Sequence, residues 1–350
     1  MSAPALHPHA ADDLTSVMRR AIELAARGLG TTRPNPVVGC VVLDSTGAVA
    51  GEGWHERAGS PHAERVALDQ AGERARGGTA VVTLEPCRHT GRTGPCTDAL
   101  LNAGVARVVY AVPDPSAAAG GGGDLLAAAG VDVERGLLRE EAEQGNEVWL
   151  TSVRLGRPHV TWKTASSLDG QVAAADGSSR WITGPAARRD VHLLRAQVDA
   201  VLVGVGTVLA DDPELTARDV DAARQPLRVV LDRTGRTPAS ARVRNSAAET
   251  LVSAAEPRKL LAELHAREVQ SVLLEGGPTL AGSFLREGVV DRVLAYVAPV
   301  LLGSGRWPAL LGTGQASIAD AIRLRLDEVT RLGDDLRLSA RLEPATGRNR

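Results

Sequence analysis

The chain has 350 residues, 43% hydrophobic and 23% charged, with a net charge of -2. That length exceeds the usual size of one hydrophobic core and predicts two domains, while near-neutral charge and only 2% aromatic residues argue against a basic, base-stacking surface for nucleic acid. Its apolar runs are too short to span a bilayer, its first residues lack a secretory pattern, and three cysteines are too few for a disulfide scaffold, so a cytoplasmic protein with metal-binding or catalytic cysteines is expected.

In chain order, Leu14, Val17, Met18, Ala21, Leu24 and Ala25 recur at three- and four-residue steps before Gly28, which predicts an amphipathic helix over 12–28. Apolar runs at 37–43 and 48–53 flank Asp44-Ser-Thr-Gly47 and predict a β-hairpin. A helix is expected at 63–71, a buried strand at 79–84, a helix at 97–103 and a strand at 105–112. Alanine and glycine crowd 117–123, which predicts a flexible loop; no Gly-Lys-Ser/Thr follows, so it is not a P-loop. The helical pattern ends near 147–158 and a strand opens at 158–165, placing the domain boundary close to residue 148. Strands near 160, 201, 229, 251, 272 and 294 then alternate with helices at 185–197, 257–266 and 278–287. Both halves are therefore α/β, the second with a mainly parallel sheet.

His62-Ala-Glu64 opens the 63–71 helix, Pro86-Cys87 follows the 79–84 strand, and Cys96 precedes the next helix. One imidazole and two thiolates make three ligands of tetrahedral zinc and leave the fourth position for water, as a catalytic site requires. Glu64 stands too near His62 to ligate as well, and is placed to carry a proton from water to a departing amine. This is a hydrolytic deaminase pattern, although the general form has Cys-x-x-Cys and here nine positions separate Cys87 from Cys96. A zinc that only folds a loop is the rival reading, and it leaves Glu64 without a task. Cys40, inside the 37–43 run, is assigned to the core.

Further motifs are Thr32-x-Pro-Asn-Pro-x-Val-Gly-Cys40, Gly51-Glu-Gly-x-His55, Pro61-His-Ala-Glu64, Thr83-Leu-Glu-Pro-Cys-x-His89 and Gly91-Arg-Thr-x-Pro-Cys96. With them the first half resembles the bifunctional riboflavin-biosynthesis deaminase-reductases, whose longer cysteine spacing is the one found here. The second half is similar to the same family in Lys163-x-Ala-x-Ser-Leu-Asp-Gly170, Ser179-x-Trp-Ile-Thr183, Ala187-Arg-x-Asp-Val191, Thr207-Val-Leu-x-Asp-Asp-Pro213 and Leu274-Glu-Gly-Gly-Pro-Thr279.

The resemblance implies a cytidine-deaminase-like, zinc-dependent domain over 1–147 and a dihydrofolate-reductase-like, NADPH-dependent domain over 148–350. It implies deamination of 2,5-diamino-6-(5-phosphoribosylamino)pyrimidin-4-one, then reduction of the ribosyl side chain to ribityl. Asn35, His55 and His89 would line the deaminase pocket. Ala165, Trp181, Thr207, Asp211 and the segment Gly277, Pro278, Thr279, Leu280, Ala281, Gly282 and Ser283 would lie against NADPH. Ser179, Arg195, Leu215, Arg218 and Glu275 would surround the reductase substrate, arginines being suited to its 5'-phosphate. A homodimer is a further family-level expectation, with a small pyrimidine phosphate as ligand and neither nucleic acid nor membrane as partner.

The residues add two points of their own. Arginine occurs 38 times and lysine twice, at Lys163 and Lys259, so a retained lysine is informative. A compact ammonium at Lys163 suits donation to a sugar hydroxyl in a narrow cleft, and it is expected to orient the ribose while Asp211 supports cofactor or proton placement. The strand-to-helix turn at Gly276-Gly-Pro278 offers amides to a phosphate, and the chain lacks a six-residue Rossmann fingerprint. One stretch departs from the family: where its pattern carries Ala-Gly-Arg-Gly, this chain has Gly120-Gly-Gly-Gly123, so Gly122 replaces an arginine. A raised Michaelis constant with zinc retained follows, unless another cation such as Arg92 takes over. The rival enzyme reading is a single-function nucleoside or nucleotide deaminase with an unrelated second domain.

Overall fold

The computed structural model describes residues 10–89, 94–116, 119–303 and 307–343, and the chain divides into two compact units at Leu155/Gly156. In the first unit the elements are α1 (Ala10–Ala26), β1 (Gly39–Leu43), β2 (Val49–Trp54), α2 (Ala63–Ala71), β3 (Thr79–Leu84), α3 (Cys96–Asn102), β4 (Arg107–Val112), α4 (Gly122–Ala128), β5 (Asp132–Arg135), α5 (Arg139–Gly145) and α6 (Glu147–Leu155). The sheet order is β2-β1-β3-β4-β5, antiparallel around β1 and parallel from β3 to β5.

Side-chain alternation on these strands feeds two cores. Cys40, Val42, Ala80 and Val82 face Ala63, Ala67, Leu100 and Leu126 of α2, α3 and α4. Val41, Leu43 and Val81 face Met18, Leu24, Ala142 and Trp149 of α1, α5 and α6. Burial on both faces explains why β1, β3 and β4 are near-continuous apolar runs. Gly53 is needed for close approach, since a Cβ there would stand 2.6 Å from the Ala67 amide nitrogen; the bare strand lets α2, and the His62–Glu64 turn before it, lie directly on the sheet.

The second unit contains β6 (His159–Ser167), α7 (Pro185–Gln197), β7 (Ala200–Gly204), α8 (Val205–Asp211), β8 (Leu227–Leu231), β9 (Thr250–Ser253), α9 (Pro257–Ala266), β10 (Ser271–Leu274), α10 (Pro278–Arg286), β11 (Arg292–Ala298), β12 (Leu324–Leu332) and β13 (Asp335–Leu342). Its sheet runs β12-β13-β11-β6-β10-β7-β8-β9. All pairs from β11 to β9 are parallel, and the terminal hairpin β12–β13 is antiparallel. Pro185, Pro257 and Pro278 open α7, α9 and α10, where a missing N–H costs nothing. Helices α9 and α10 cover one face through Leu260, Leu264 and Phe284. Helices α7 and α8 cover the other through Val191, Val205 and Val208.

The structure corrects the reading in three places. The boundary expected at 147/148 falls at the start of α6, whose Trp149 and Leu150 are core residues of the first unit. The loop expected over 117–123 ends early, because Gly122 and Gly123 already belong to α4. Elements β5, α4, α5, α8 and the β12–β13 hairpin were not anticipated. No helix among the described residues is long and apolar enough to cross a membrane.

Candidate active sites

In the first unit, the turn before α2 presents His62, the loop after β3 presents Cys87, and α3 begins at Cys96. His62 Nδ1 lies 3.3 Å from Cys96 Sγ and 3.6 Å from Cys87 Sγ, and the three ligand atoms fall within 4.8 Å of one another. Tetrahedral zinc with bonds of about 2.0–2.3 Å sets its ligand atoms roughly 3.5 Å apart; the donor set and its spacing fit that ion. The Cys87 thiol is held well below the usual range by the hydrogen bond with Cys96, against the effect of burial and with help from His62. The Cys96 backbone N–H also donates to Cys87 Sγ at 3.4 Å, so the first residue of α3 closes the set despite the long cysteine spacing.

Glu64 is 3% exposed on the first turn of α2. Burial pushes its carboxyl up, and the nearby Cys87 adds to that, so it holds a proton more readily than a surface glutamate. Beside it, His55 Nδ1 donates to the Pro61 carbonyl at 3.1 Å, which leaves Nε2 to accept from Asn35 Nδ2 at 3.1 Å. Burial lowers the pKa of His55, keeping it neutral.

A cavity of about 310 Å³ brings Asn35, His55, His62, Glu64, Cys87 and His89 together, with Cys96 buried beside His62 and Cys87. It is also lined by Glu85, Asp114, Ser116, Trp149 and Val153, which sequence reasoning missed. Trp149 and Val153 stand one helical turn apart on α6, in the stretch where the helical pattern is expected to end. Glu85 accepts the Asp114 amide at 3.0 Å and the Gly123 amide at 2.9 Å, so one carboxylate ties both ends of the glycine-rich stretch. Gly122 packs against the Pro86 carbonyl so closely that a Cβ has no room. A side chain at position 122 would have to displace that carbonyl, and Arg92 lies outside the described residues.

In the second unit, a cavity of about 430 Å³ opens over the C-terminal ends of β6, β7 and β10, the customary ligand position of a parallel sheet. Lys163, Ala165, Ser179, Trp181, Arg195, Thr207, Asp211, Leu215, Arg218 and Glu275 all line it. Lys163 points away from Trp162, which belongs to the opposite core. Its Nζ stands 4.0 Å from Glu275 Oε2. Burial pulls the ammonium below its usual pKa, Glu275 opposes this and Arg195 reinforces it. Arg195 donates to both oxygens of Glu275, at 2.6 and 2.9 Å. Burial raises the Glu275 carboxyl, but the Arg195 fork outweighs it and holds the group below the usual range.

None of the segment from Gly277 to Ser283 lines this cavity. Gly277, Pro278, Thr279 and Leu280 form the accessible strand-to-helix turn, while Ala281 and Gly282 are buried against the core and offer a ligand no surface. The Ser283 hydroxyl donates to the Leu280 carbonyl at 2.7 Å. Trp181 is 69% exposed with the Arg188 guanidinium over its ring at 4.6 Å. His192, Arg188, Arg242 and Tyr296 are cavity residues absent from the sequence reading. For two of them a signal existed: Arg188 and His192 precede the expected Arg195 at steps of four and three, one face of a helix.

Residues 11–112 match the cytidine and deoxycytidylate deaminase zinc-binding region, and residues 158–338 match the RibD C-terminal domain. The riboflavin biosynthesis protein RibD of Mycobacterium tuberculosis is 51% identical over 331 residues, covering 93% of this chain and 96% of that protein. The Escherichia coli RibD is 43% identical, covering 91% and 96%. Among solved structures, Acinetobacter baumannii RibD superposes with a TM-score of 0.86 at 42% identity, over 95% of this chain and 100% of that one. A Thermotoga maritima diaminohydroxyphosphoribosylaminopyrimidine deaminase/5-amino-6-(5-phosphoribosylamino)uracil reductase gives 0.87 at 35% identity, with the same coverage. The chain belongs to the RibD family of bifunctional riboflavin-biosynthesis deaminase-reductases.

Proposed function

We propose that the first unit deaminates 2,5-diamino-6-(5-phosphoribosylamino)pyrimidin-4-one and that the second reduces the ribosyl chain of the product to ribityl with NADPH. The observation that carries the first assignment is the buried Glu64 beside three zinc-type ligand atoms within 4.8 Å of one another. His62, Cys87 and Cys96 would hold the zinc ion, whose Lewis acidity makes a water molecule nucleophilic near neutral pH. Glu64 takes the proton of that water and returns it to the departing amine, a task suited to a carboxyl whose pKa burial has raised. Asn35 and the neutral His55 form one fixed wall of the pocket, and His89 stands at its more exposed side.

In the second unit, NADPH supplies the hydride; the accessible turn at Gly277–Leu280, with Ala165, Trp181, Thr207 and Asp211, would hold it. Fit is supported by bare backbone, since a Cβ at Gly206 or Gly277 meets nothing within 4 Å. Lys163 donates to the open-chain ribose, and Glu275 with Arg195 fixes where that ammonium sits. Ser179, Leu215 and Arg218 complete the substrate side. A coupled assay with the pyrimidine phosphate, following ammonia and NADPH separately, tests both halves: ammonia release without NADPH oxidation removes the second assignment, and no ammonia release removes the first.

A further inference from the structure

Lys163 carries its ammonium into the second cavity with little to hold it there. Its N–H groups have no hydrogen-bond acceptor among the described residues. The countercharge, Glu275 Oε2, stands 4.0 Å away, and both oxygens of that carboxylate already accept from Arg195. A compact ammonium on a flexible four-carbon stem keeps much rotamer freedom, so orienting a ribose requires a further constraint.

Tyr296 supplies it. Strand β11 runs parallel beside β6, with Leu294 opposite Lys163 and Tyr296 opposite Ala165, and alternation brings Tyr296 to the face that carries Lys163. The side chain lines the cavity, is 1% exposed, and has Lys163 Nζ over its ring at 5.8 Å from the centroid. Its far end is tethered: the phenol donates to Asp190 Oδ2, and Arg337 Nη1 donates to both oxygens of the same carboxylate at 3.0 Å. Burial and the bond to Asp190 push the phenol well above its usual range, so it stays protonated, with its one hydrogen committed. No proton is left for a substrate; what Tyr296 presents to the cavity is the ring. A hydroxyl that donates to a carboxylate enriches its ring in electrons, and the negative face attracts an ammonium most strongly where water is excluded.

We propose that Tyr296 is a positioning residue of the reductase site: its ring, fixed by Asp190 and Arg337, holds the Lys163 ammonium charged and aimed at the substrate. This role rests on the reading that Lys163 donates to the open-chain ribose. It gives a task in the site to Asp190 of α7 and Arg337 of β13, neither of which lines the cavity.

A phenylalanine series at position 296 with no, one and three ring fluorines tests it beside Tyr296→Leu, because fluorine withdraws charge from the ring face and nearly keeps its shape. The readout is the alkaline limb of kcat/KM for NADPH oxidation with deaminated substrate, which follows the charge of Lys163 in the free enzyme. Glu275 favours that charge and Arg195 opposes it; both, with Asp190, Arg337 and the cavity's His192 and Asp211, are unchanged throughout the series. Tyr296→Phe keeps the limb near its wild-type position. Fluorination moves it stepwise to lower pH, reaching about one unit, a tenfold change in Lys163 protonation, with three fluorines and in Tyr296→Leu. A limb that stays in place across the series and in Tyr296→Leu makes the ring mere packing and overturns the role. Tyr296→Phe displaced as far as Tyr296→Leu overturns it as well, since the hydroxyl and not the face would then act. Should Tyr296→Leu fail to fold, the fluorine series decides alone. Full activity in Lys163→Ala removes the lysine reading, and this role with it.

Discussion

Replacing Glu275 by glutamine removes the one carboxylate shared by Lys163 and Arg195 while keeping its size. The Lys163 ammonium is 4.0 Å away, and the two side chains are only 18% and 8% exposed, so solvent screens the pair poorly. At that separation a unit charge is worth about 4 kcal/mol at an effective dielectric of 20, or roughly 3 pKa units. Burial already lowers the Lys163 pKa, and losing the anion lowers it further. A base with a lowered pKa loses its charge earlier as pH rises, so the alkaline limb of NADPH oxidation moves to lower pH by up to about 3 units. Stability changes as well: an unpaired Arg195 costs about 3–5 kcal/mol, or roughly 6–20 °C in the melting of a unit this size. The Glu275 contribution is present above the ordinary carboxylate pKa and fades as pH falls through its depressed folded value, so the melting difference narrows in acid. The assay is NADPH oxidation against pH with deaminated substrate, with thermal melting alongside and ammonia release as the control. A variant with the wild-type pH profile and melting temperature would refute the claim that this ion cluster sets the state of Lys163.

Four further outcomes follow. Glu64→Gln lowers ammonia release by about 10²–10⁴-fold while zinc content and NADPH oxidation with already deaminated substrate stay as in the wild type; an equally active variant would leave zinc with a purely structural task. Lys163→Ala suppresses NADPH oxidation and spares ammonia release, and equal loss of both ends the division of labour between the units. Zinc removal by a chelator stops ammonia release but leaves reduction of the already deaminated substrate intact, as a two-substrate assay reads directly. Gly122→Ala drives a methyl group into the Pro86 carbonyl and lowers the melting temperature of the first unit by several degrees, about 1–3 kcal/mol of overpacking; unchanged melting would mean that the loop moves aside freely.

The cluster of His62, Cys87 and Cys96 with Glu64 beside it was legible because its spacing is local: His62-x-Glu64 is fixed by one helical turn, and each cysteine borders a strand or helix whose apolar pattern is plain. The parallel sheet of the second unit was legible for the same reason, since strands buried on both faces leave unbroken apolar runs. The β12–β13 hairpin was not, because β12 is mostly exposed and alternates weakly. Helix α6 was not legible, since the helical pattern is expected to end near 147–158, although Trp149 and Val153 complete the first pocket; nothing in its own pattern says which core receives it.

The sequence by itself determined the donor types, the deaminase chemistry and the alternation of strands and helices, all of which depend on neighbours within a few residues. Only tertiary structure decided that Arg195 is bound to Glu275, 80 positions away, and so differs from the free phosphate clamp its residue type suggested. The same holds for Gly122, whose lack of a side chain reads as a loss until the Pro86 carbonyl is found in its place. In each case the deciding partner is brought in by sheet register and loop return, which local spacing does not encode.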